Sequence, residues 1–154
     1  MRRRERVVVD TNCLVSRLLL TDSVAARAVC KAVDTSILLA SEATMEELAD
    51  VLGRSRFDRY VSLEDRKQFL RLYGRIAEFV LIMYPVRECR DPDVDRFLEV
   101  ALNGRANVIL TGDRDLLSLH PWRGVAILSP RGYLKRWRNR SNWSQRGAEK
   151  LPPP

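Results

Sequence analysis

The sequence predicts an α/β sandwich built on a mainly parallel central sheet of about five strands. Short runs of aliphatic residues alternate along the chain with longer amphipathic segments, which is the order typical of strand–helix–strand units. Two of these runs, Val7–Val9 and Val108–Leu110, stop abruptly at polar residues. In a parallel sheet the carboxyl ends of the strands meet at one edge, where ligands bind.

The predicted strands are five short aliphatic runs, at residues 6–10, 37–40, 80–83, 108–110 and 125–128. Their length and their content of Val, Ile and Leu are typical of strands that are buried on both faces. Pro85 closes the third run, and Gly112 follows the fourth at a point where the backbone must turn.

The predicted helices are the segments with apolar residues at helical spacing, at residues 12–20, 23–33, 41–53, 62–78, 91–103, 115–119 and 130–137. Ser41 and Ser62 are N-cap residues. Asp91 followed by Pro is a strong helix start, and Gly104 is a strong helix stop.

The positive charge of the chain is concentrated at its two ends. The 154 residues carry a formal net charge of +7. Residues 2–6 hold four Arg against one Glu, and the segment from Ser129 holds seven basic residues against one acidic residue, whereas residues 7–128 hold 16 basic and 18 acidic residues. Basic ends suit a polyanion held near an acidic site, and they equally fit solubilising tails. We assign residues 1–138 to one domain and the basic, Pro-ended segment 139–154 to a flexible tail.

The composition argues against several protein classes. No apolar run approaches the roughly 18 residues of a membrane span, and the basic N-terminus lacks the apolar segment of a secretion signal. Three widely spaced Cys fit a reducing compartment and argue against a zinc site. The single histidine, His120, is typical of a loop contact. We therefore expect a cytoplasmic protein without membrane association.

Three aspartates directly follow the ends of two predicted strands. Asp10 comes after the first strand, and Asp113 and Asp115 come after the fourth. If both strands are central and parallel, the three carboxylates share one edge and repel each other, and a hard cation such as Mg²⁺ or Mn²⁺ relieves that repulsion. The sequence therefore predicts a divalent-metal site at this edge.

Two predicted helices offer further carboxylates to the same edge. Glu47 lies at the border of an apolar helix face, so it can be half-buried and still reach the edge, although an ordinary surface role is also open. The helix that begins at Asp91 carries Asp93 and Asp95 on opposite sides of its apolar face. Acidic residues in a first turn also favour the helix dipole without any metal, so both roles stay open.

Four short motifs occur in the order and spacing of the PIN-domain family: Asp10–Asn12, Thr44–Leu48, Asp91–Asp93 and Thr111–Leu116. More narrowly, the chain resembles the PIN toxin components of bacterial and archaeal toxin–antitoxin systems over roughly residues 6–135. The resemblance implies a three-layer α/β/α sandwich and a Mg²⁺- or Mn²⁺-dependent endoribonuclease that leaves a 5′-phosphate. It also implies RNA and an antitoxin protein as partners, and we expect a homodimer.

The resemblance also implies roles for individual residues. Asp10, Glu47 and Asp113 match the acidic catalytic residues of the family, with Asp10 and Asp113 as metal ligands and Glu47 as a base or a water ligand. Asp95 and Asp115 are candidates for a further metal ligand. The candidate supporting residues are Thr11, Asn12, Asp91 and Thr111.

One position departs from the family pattern. Where this branch usually has an aspartate, three residues after the helix cap, the chain has Val94, which cannot bind a metal. Asp95 lies about 100° further round the helix, and Asp91 lies one turn back, so either is a candidate substitute. The departure leaves the fold assignment untouched and bears on full activity.

Basic residues near the C-terminus are the candidates for RNA binding. Arg136, Arg138 and Arg140 are interleaved with Trp137 and Trp143, which combines phosphate contacts with stacking. Packing of the last helix on the sheet is the competing role for Trp137.

Two rival functions stay open. A catalytically weakened PIN-like module that binds RNA or a protein partner is favoured by Val94, and weak Mn²⁺ binding would distinguish it. A phosphatase or phosphoacceptor domain would usually need a Lys after a later strand, and none follows any predicted strand.

Overall fold

The computed structural model describes the backbone of residues 3–149 and the side chains of residues 3–139. The strands are β1 (Glu5–Val9), β2 (Ser36–Ala40), β3 (Glu78–Phe79), β4 (Val108–Leu110) and β5 (Ala126–Leu128). They form one sheet in the order β3-β2-β1-β4-β5, and each of the four pairings is parallel. The predicted parallel sheet of about five strands is confirmed.

The helices are α1 (Thr11–Leu19), α2 (Val24–Thr35), α3 (Glu42–Leu52), α4 (Leu63–Ile76), α5 (Pro92–Asn103), α6 (Arg114–Leu117) and α7 (Pro130–Glu149). Ser41, Ser62 and Asp91 accept backbone N–H bonds at the starts of α3, α4 and α5, as their sequence positions predict. No helix in the described range is both long and apolar enough to cross a membrane.

Helices cover both faces of the sheet. Successive residues of a strand point to opposite faces, so β1 contributes to both core clusters. Val7 and Val9 of β1 belong to one core cluster with residues of α1, α2, α3, α4 and α7. Val8 belongs to the other cluster, with residues of α5 and α6. The chain is therefore the three-layer α/β/α sandwich that the resemblance implies.

The third strand lies earlier in the chain than predicted. β3 is Glu78–Phe79, whereas the aliphatic run at 80–83 is not a strand. Asn103, the last residue of α5, accepts hydrogen bonds at 2.9 Å from the N–H groups of Met83 and Tyr84. The backbone of this largely exposed segment is thus bonded to a helix end, a contact that local composition does not reveal.

The last helix is longer than predicted. α7 does not end at Trp137 but continues to Glu149. Residues 138–146 contain neither Gly nor Pro, so nothing in the local sequence interrupts the helix. The domain boundary after residue 138 and the flexibility of 139–154 stay predictions, since residues 150–154 lie outside the described part.

Gly104, at the end of α5, occupies a place that has no room for a side chain. A Cβ there would lie 2.8 Å from the Val100 carbonyl oxygen, 2.9 Å from Val80 Cγ2 and 3.0 Å from Leu39 Cδ1. We expect Gly104→Ala to lower the free energy of unfolding in urea by about 1–3 kcal/mol through overpacking.

Gly74→Ala is the matched control for this substitution. A Cβ at Gly74 would make an ordinary contact of 3.6 Å with Met45 Cε. Because Gly74 lies within α4, alanine there should raise the stability by about 0.5–1 kcal/mol. A Gly104→Ala variant as stable as the wild type would contradict the close approach of α5 to the sheet.

Candidate active site

A pocket of about 230 Å³ opens beside the carboxyl ends of β1 and β4. The strand order reverses between these two strands, which is the usual place for a ligand in an open parallel sheet. Five carboxylates line the pocket, those of Asp10, Glu47, Asp91, Asp93 and Asp113. The structure thus brings the predicted residues Asp10, Glu47 and Asp113 to one place.

Asp10 is the most buried of these carboxylates, with 4% of its surface exposed. It caps α1, where its Oδ1 accepts a hydrogen bond of 2.8 Å from the N–H of Cys13. Burial and, secondarily, the Asp10 carboxylate raise the pKa of the Cys13 thiol far above its usual value. Cys13 is therefore a neutral neighbour that adds no charge to the pocket.

The buried Thr111 connects the two aspartates that follow β1 and β4, Asp10 and Asp113. Its hydroxyl donates to Asp10 Oδ2 and accepts a hydrogen bond of 2.9 Å from the N–H of Asp113. Thr111 is fully buried and does not itself line the pocket. The hydroxyl of this predicted supporting residue therefore joins the Asp10 carboxylate to the backbone of Asp113.

Glu47 reaches the pocket from the middle of α3, half-buried at the border of the helix as its position predicts. Its Oε2 accepts a hydrogen bond of 2.6 Å from the hydroxyl of Thr11. Asn12, which is exposed, also lines the pocket. The predicted supporting residues Thr11 and Asn12 therefore both line the pocket, and Thr11 contacts Glu47 directly.

The start of α5 forms another wall of the pocket. Asp91 caps the helix with Oδ1, 2.9 Å from the N–H of Asp93. Val94 lies in the wall beside them, 7% exposed and packed in the core cluster under α5. An apolar side chain thus occupies the wall position where the family pattern has an acid.

Two predicted metal ligands, Asp95 and Asp115, do not line the pocket. Asp95 is turned towards the preceding loop, where its Oδ1 accepts hydrogen bonds of 3.1 and 2.9 Å from the N–H groups of Glu88 and Cys89. Asp115 is exposed in the first turn of α6, and its N–H donates to Asp113 Oδ1. The Asp95 carboxylate therefore stabilises a loop next to the pocket, whereas Asp115 contributes its backbone N–H to the cap of α6.

The sequence analysis did not predict that Arg54 lines the pocket, where it is the only cation among the described lining residues. The buried guanidinium of Arg66 fixes its position, because Arg66 Nη1 donates to the carbonyl oxygens of Leu52 at 2.8 Å and Arg54 at 3.2 Å. No local signal marks Arg54, since the contact is made between α4 and the end of α3.

The donor set of the pocket suits Mg²⁺ or Mn²⁺, which prefer carboxylate oxygens. The Oδ1 atoms of Asp91 and Asp113 each accept backbone N–H bonds at the start of a helix, and no described residue hydrogen-bonds to their Oδ2 atoms. However, no three His, Cys, Asp or Glu side chains in the described part lie close enough together to hold one ion. The residue types fit the metal, and binding requires side-chain rotation, for which the exposed Asp91 and Asp93 have room.

Two of the three arginines predicted to bind RNA, Arg136 and Arg138, lie away from this pocket. Arg136 forms an ion pair with Glu5 at the start of β1, at the opposite edge of the sheet. Arg138 lines a groove between α2 and α7. The side chain of Arg140 lies outside the described residues.

The comparisons with known proteins agree with this architecture. Residues 6–115 match the PIN domain family. The uncharacterized protein MJ1680 of Methanocaldococcus jannaschii is 27% identical over 118 residues, which cover 74% of this chain and 74% of that protein. A chain in the crystal structure of VapBC2 from Rickettsia felis bound to a DNA fragment from its promoter has a TM-score of 0.55 at 8% identity, over 80% of this chain and 98% of that one. At so low an identity the similarity concerns the fold alone.

Thr111→Val removes the hydroxyl between Asp10 and Asp113 while keeping the shape of the side chain. We expect the free energy of unfolding to fall by about 1–3 kcal/mol, because Asp10 Oδ2 loses its buried donor. Mn²⁺ affinity measured by calorimetry should fall as well. Thr21→Val, at an exposed loop residue, is the control and should change stability by less than about 0.5 kcal/mol. Unchanged stability and Mn²⁺ affinity would show that this hydroxyl does not organise the pocket.

Val94→Asp restores an acid to the wall of the pocket. We expect a lower Tm in EDTA for two reasons. The substitution loses the burial of an apolar side chain, which contributes roughly 1.5–3 kcal/mol to stability, and it adds a negative charge beside Asp91 and Asp93. Calorimetry should show tighter Mn²⁺ binding. Asp95→Asn is the control: the amide oxygen can still accept from the loop, so both quantities should stay near the wild-type values. Loss of Mn²⁺ affinity in Asp95→Asn would instead identify Asp95 as a ligand.

Proposed function

This chain belongs to the PIN-domain family, and we propose that it is a divalent-metal-dependent endoribonuclease that hydrolyses RNA phosphodiesters as the toxin of a toxin–antitoxin pair. The observation that supports this proposal is the gathering of five carboxylates in one pocket at the strand-order reversal. A site so rich in carboxylates, without a histidine among its described lining residues, suits metal-assisted hydrolysis.

The proposed mechanism assigns a task to each side chain. Asp10 and Asp113, with Asp91, would hold Mg²⁺ or Mn²⁺, which would lower the pKa of a water and neutralise charge on the phosphodiester. The bond between phosphorus and the 3′-oxygen breaks, and that oxygen leaves as a hydroxyl with a proton from solvent. Glu47 accepts the proton of the attacking water, and the Thr11 hydroxyl holds its carboxylate in place. Asn12 orients that water. Thr111 keeps Asp10 and Asp113 at a fixed separation.

The proposal extends to partners. Away from the pocket, RNA also contacts the basic residues that the sequence assigns to nucleic-acid binding, Arg136, Arg138 and Arg140. We infer assembly with an antitoxin and homodimer formation from the resemblance to PIN toxins; the VapBC2 chain supports the shared fold alone.

One observation favours a second candidate, a PIN-like module with weakened catalysis that binds RNA or a protein. Val94 fills the pocket wall with an apolar side chain, so the pocket has one oxygen ligand fewer than the family pattern. A weakened module should bind Mn²⁺ only at millimolar concentrations or not at all, and calorimetry with the wild type distinguishes it from the nuclease.

Cleavage of a mixed single-stranded RNA pool tests the proposal directly. We expect the wild type to cleave in Mn²⁺ and not in EDTA, and the products to carry 5′-phosphates. Glu47→Gln should lower the rate by about 100- to 10,000-fold, the usual contribution of a general base. Asp10→Asn should abolish cleavage, because a buried oxygen ligand loses its charge.

Asp34→Asn is the matched control, since Asp34 is exposed on α2 and far in sequence from every pocket residue. It should cleave at the wild-type rate. Cleavage that persists in EDTA, or in a folded Asp10→Asn variant, would contradict a metal-dependent mechanism in this pocket.

A further inference from the structure

The two basic ends of the chain meet at the amino edge of the sheet, opposite the active-site pocket. Arg136 of α7 forms an ion pair of 3.1 Å with Glu5 of β1. A cavity of about 380 Å³ lies beside this contact, which we call the arginine pocket, and it is lined by Arg3, Arg4, Arg6, Arg105 and Arg136. Glu5 is the only acid among its described lining residues. The length of β1 separates this pocket from Asp10, roughly 17 Å for five residues.

Much of this positive charge has no ion-pair partner among the described residues. Arg3, Arg4 and Arg105 form no ion pair with any residue that the structure describes, and all three are exposed. Arg105 also has a φ of 53°, in the left-handed region that glycine adopts without strain and that other residues adopt at a cost. Three unpaired guanidinium groups around one cavity favour a bound anion, because arginine matches phosphate with paired N–H donors.

The positive surface continues beyond the arginine pocket. A groove of about 600 Å³ between α2 and α7 has four charged residues in its described lining, and all are basic: Arg27, Lys31, Arg131 and Arg138. α7 begins just after the carboxyl end of β5 and reaches the amino edge at Arg136, so the groove runs between the two edges of the sheet. Cations spread along such a groove fit a long polyanion better than a single small anion.

We propose that the arginine pocket and the α2–α7 groove bind the backbone of a single-stranded RNA at a distance from the scissile bond. This inference rests on the proposed ribonuclease function and specifies its substrate as a strand long enough to extend from the active-site pocket to the amino edge. A short RNA would occupy the active-site pocket alone and gain nothing from the remote arginines.

Binding is measured with the full chain carrying Asp10→Asn in EDTA, so that the RNA stays intact. The probe is a labelled single-stranded RNA of about sixteen nucleotides, followed by fluorescence anisotropy over a salt series. The pocket variant carries Arg3→Gln, Arg4→Gln and Arg105→Gln. The control variant carries Lys67→Gln, Arg71→Gln and Arg75→Gln, which remove the same charge from the exposed face of α4.

We expect the pocket variant to bind RNA at least tenfold more weakly and the control variant to bind like the parent. The slope of log K against log salt should fall by about 2 in the pocket variant, since each lost contact with a single strand removes about 0.7. Equal effects in the two variants would overturn the proposal, because they would reflect net charge alone. Binding of poly-glutamate as tightly as RNA would also overturn it, in favour of an acidic protein partner.

Arg105→Gly separates RNA binding from folding. Glycine relaxes the left-handed backbone, so the Tm should stay equal to or rise above that of the parent while the RNA affinity falls. Unchanged affinity in a folded Arg105→Gly variant would remove Arg105 from the proposed site.

Cleavage kinetics distinguish failure of this site from failure of the ribonuclease function. In Mn²⁺, the pocket variant with Asp10 intact should have a raised KM for the RNA of about sixteen nucleotides and unchanged kinetics for one of about four. If the wild type cleaves RNA and the pocket variant keeps the wild-type KM for the long RNA, the proposal of a remote RNA site is wrong and the proposed ribonuclease function is supported. If the wild type never cleaves RNA and the pocket variant still binds RNA more weakly, the proposed ribonuclease function is wrong and the proposed RNA-binding surface is supported.

Discussion

Three of the five carboxylates in the pocket beside the carboxyl ends of β1 and β4 are helix N-caps, and the arrangement of the pocket depends on them. Asp10, Asp91 and Asp113 begin α1, α5 and α6, and each accepts backbone N–H bonds from its own helix. The positive ends of three helix dipoles therefore face a cluster of negative charges. This local stabilisation offsets the mutual repulsion of the carboxylates, so the acidic pocket can persist in the folded protein before any cation arrives.

The same caps explain how the sheet organises the pocket. β1 and β4 are adjacent and parallel, so Asp10 and Thr111 follow the ends of neighbouring strands. The Thr111 hydroxyl then joins Asp10 to the N–H of Asp113, which makes the separation of two capping carboxylates a property of the sheet register. Glu47 and Asp91 come from helices on opposite faces of the sheet, so the α/β/α layering is what closes the pocket from both sides.

The sequence was sufficient for those parts of the site that depend on local chemistry. The strand-end positions of Asp10 and Asp113, the cap at Asp91 and the border position of Glu47 all follow from patterns a few residues long. Asp95 and Asp115 show the limit of such patterns, because a carboxylate next to a pocket can bond to a loop or point to solvent, and spacing cannot distinguish these outcomes. The positions of Arg54 and of the arginine pocket depend on contacts between distant segments, such as Arg136 with Glu5. Patterns a few residues long cannot predict such contacts.

Val94 is best understood from the balance between packing and charge in this pocket. Its side chain joins the core cluster beneath α5 and adds apolar burial at a place where the neighbouring residues Asp91 and Asp93 already supply two negative charges. A further carboxylate there would lack a helix N–H of its own, since Asp91 already caps α5, and would depend on a cation to offset its desolvation. In the proposed metal site, valine would make the pocket less dependent on metal for folding and would leave cation binding to carboxylates that the helix starts already stabilise. Stability without metal and affinity for metal are opposed at this one position.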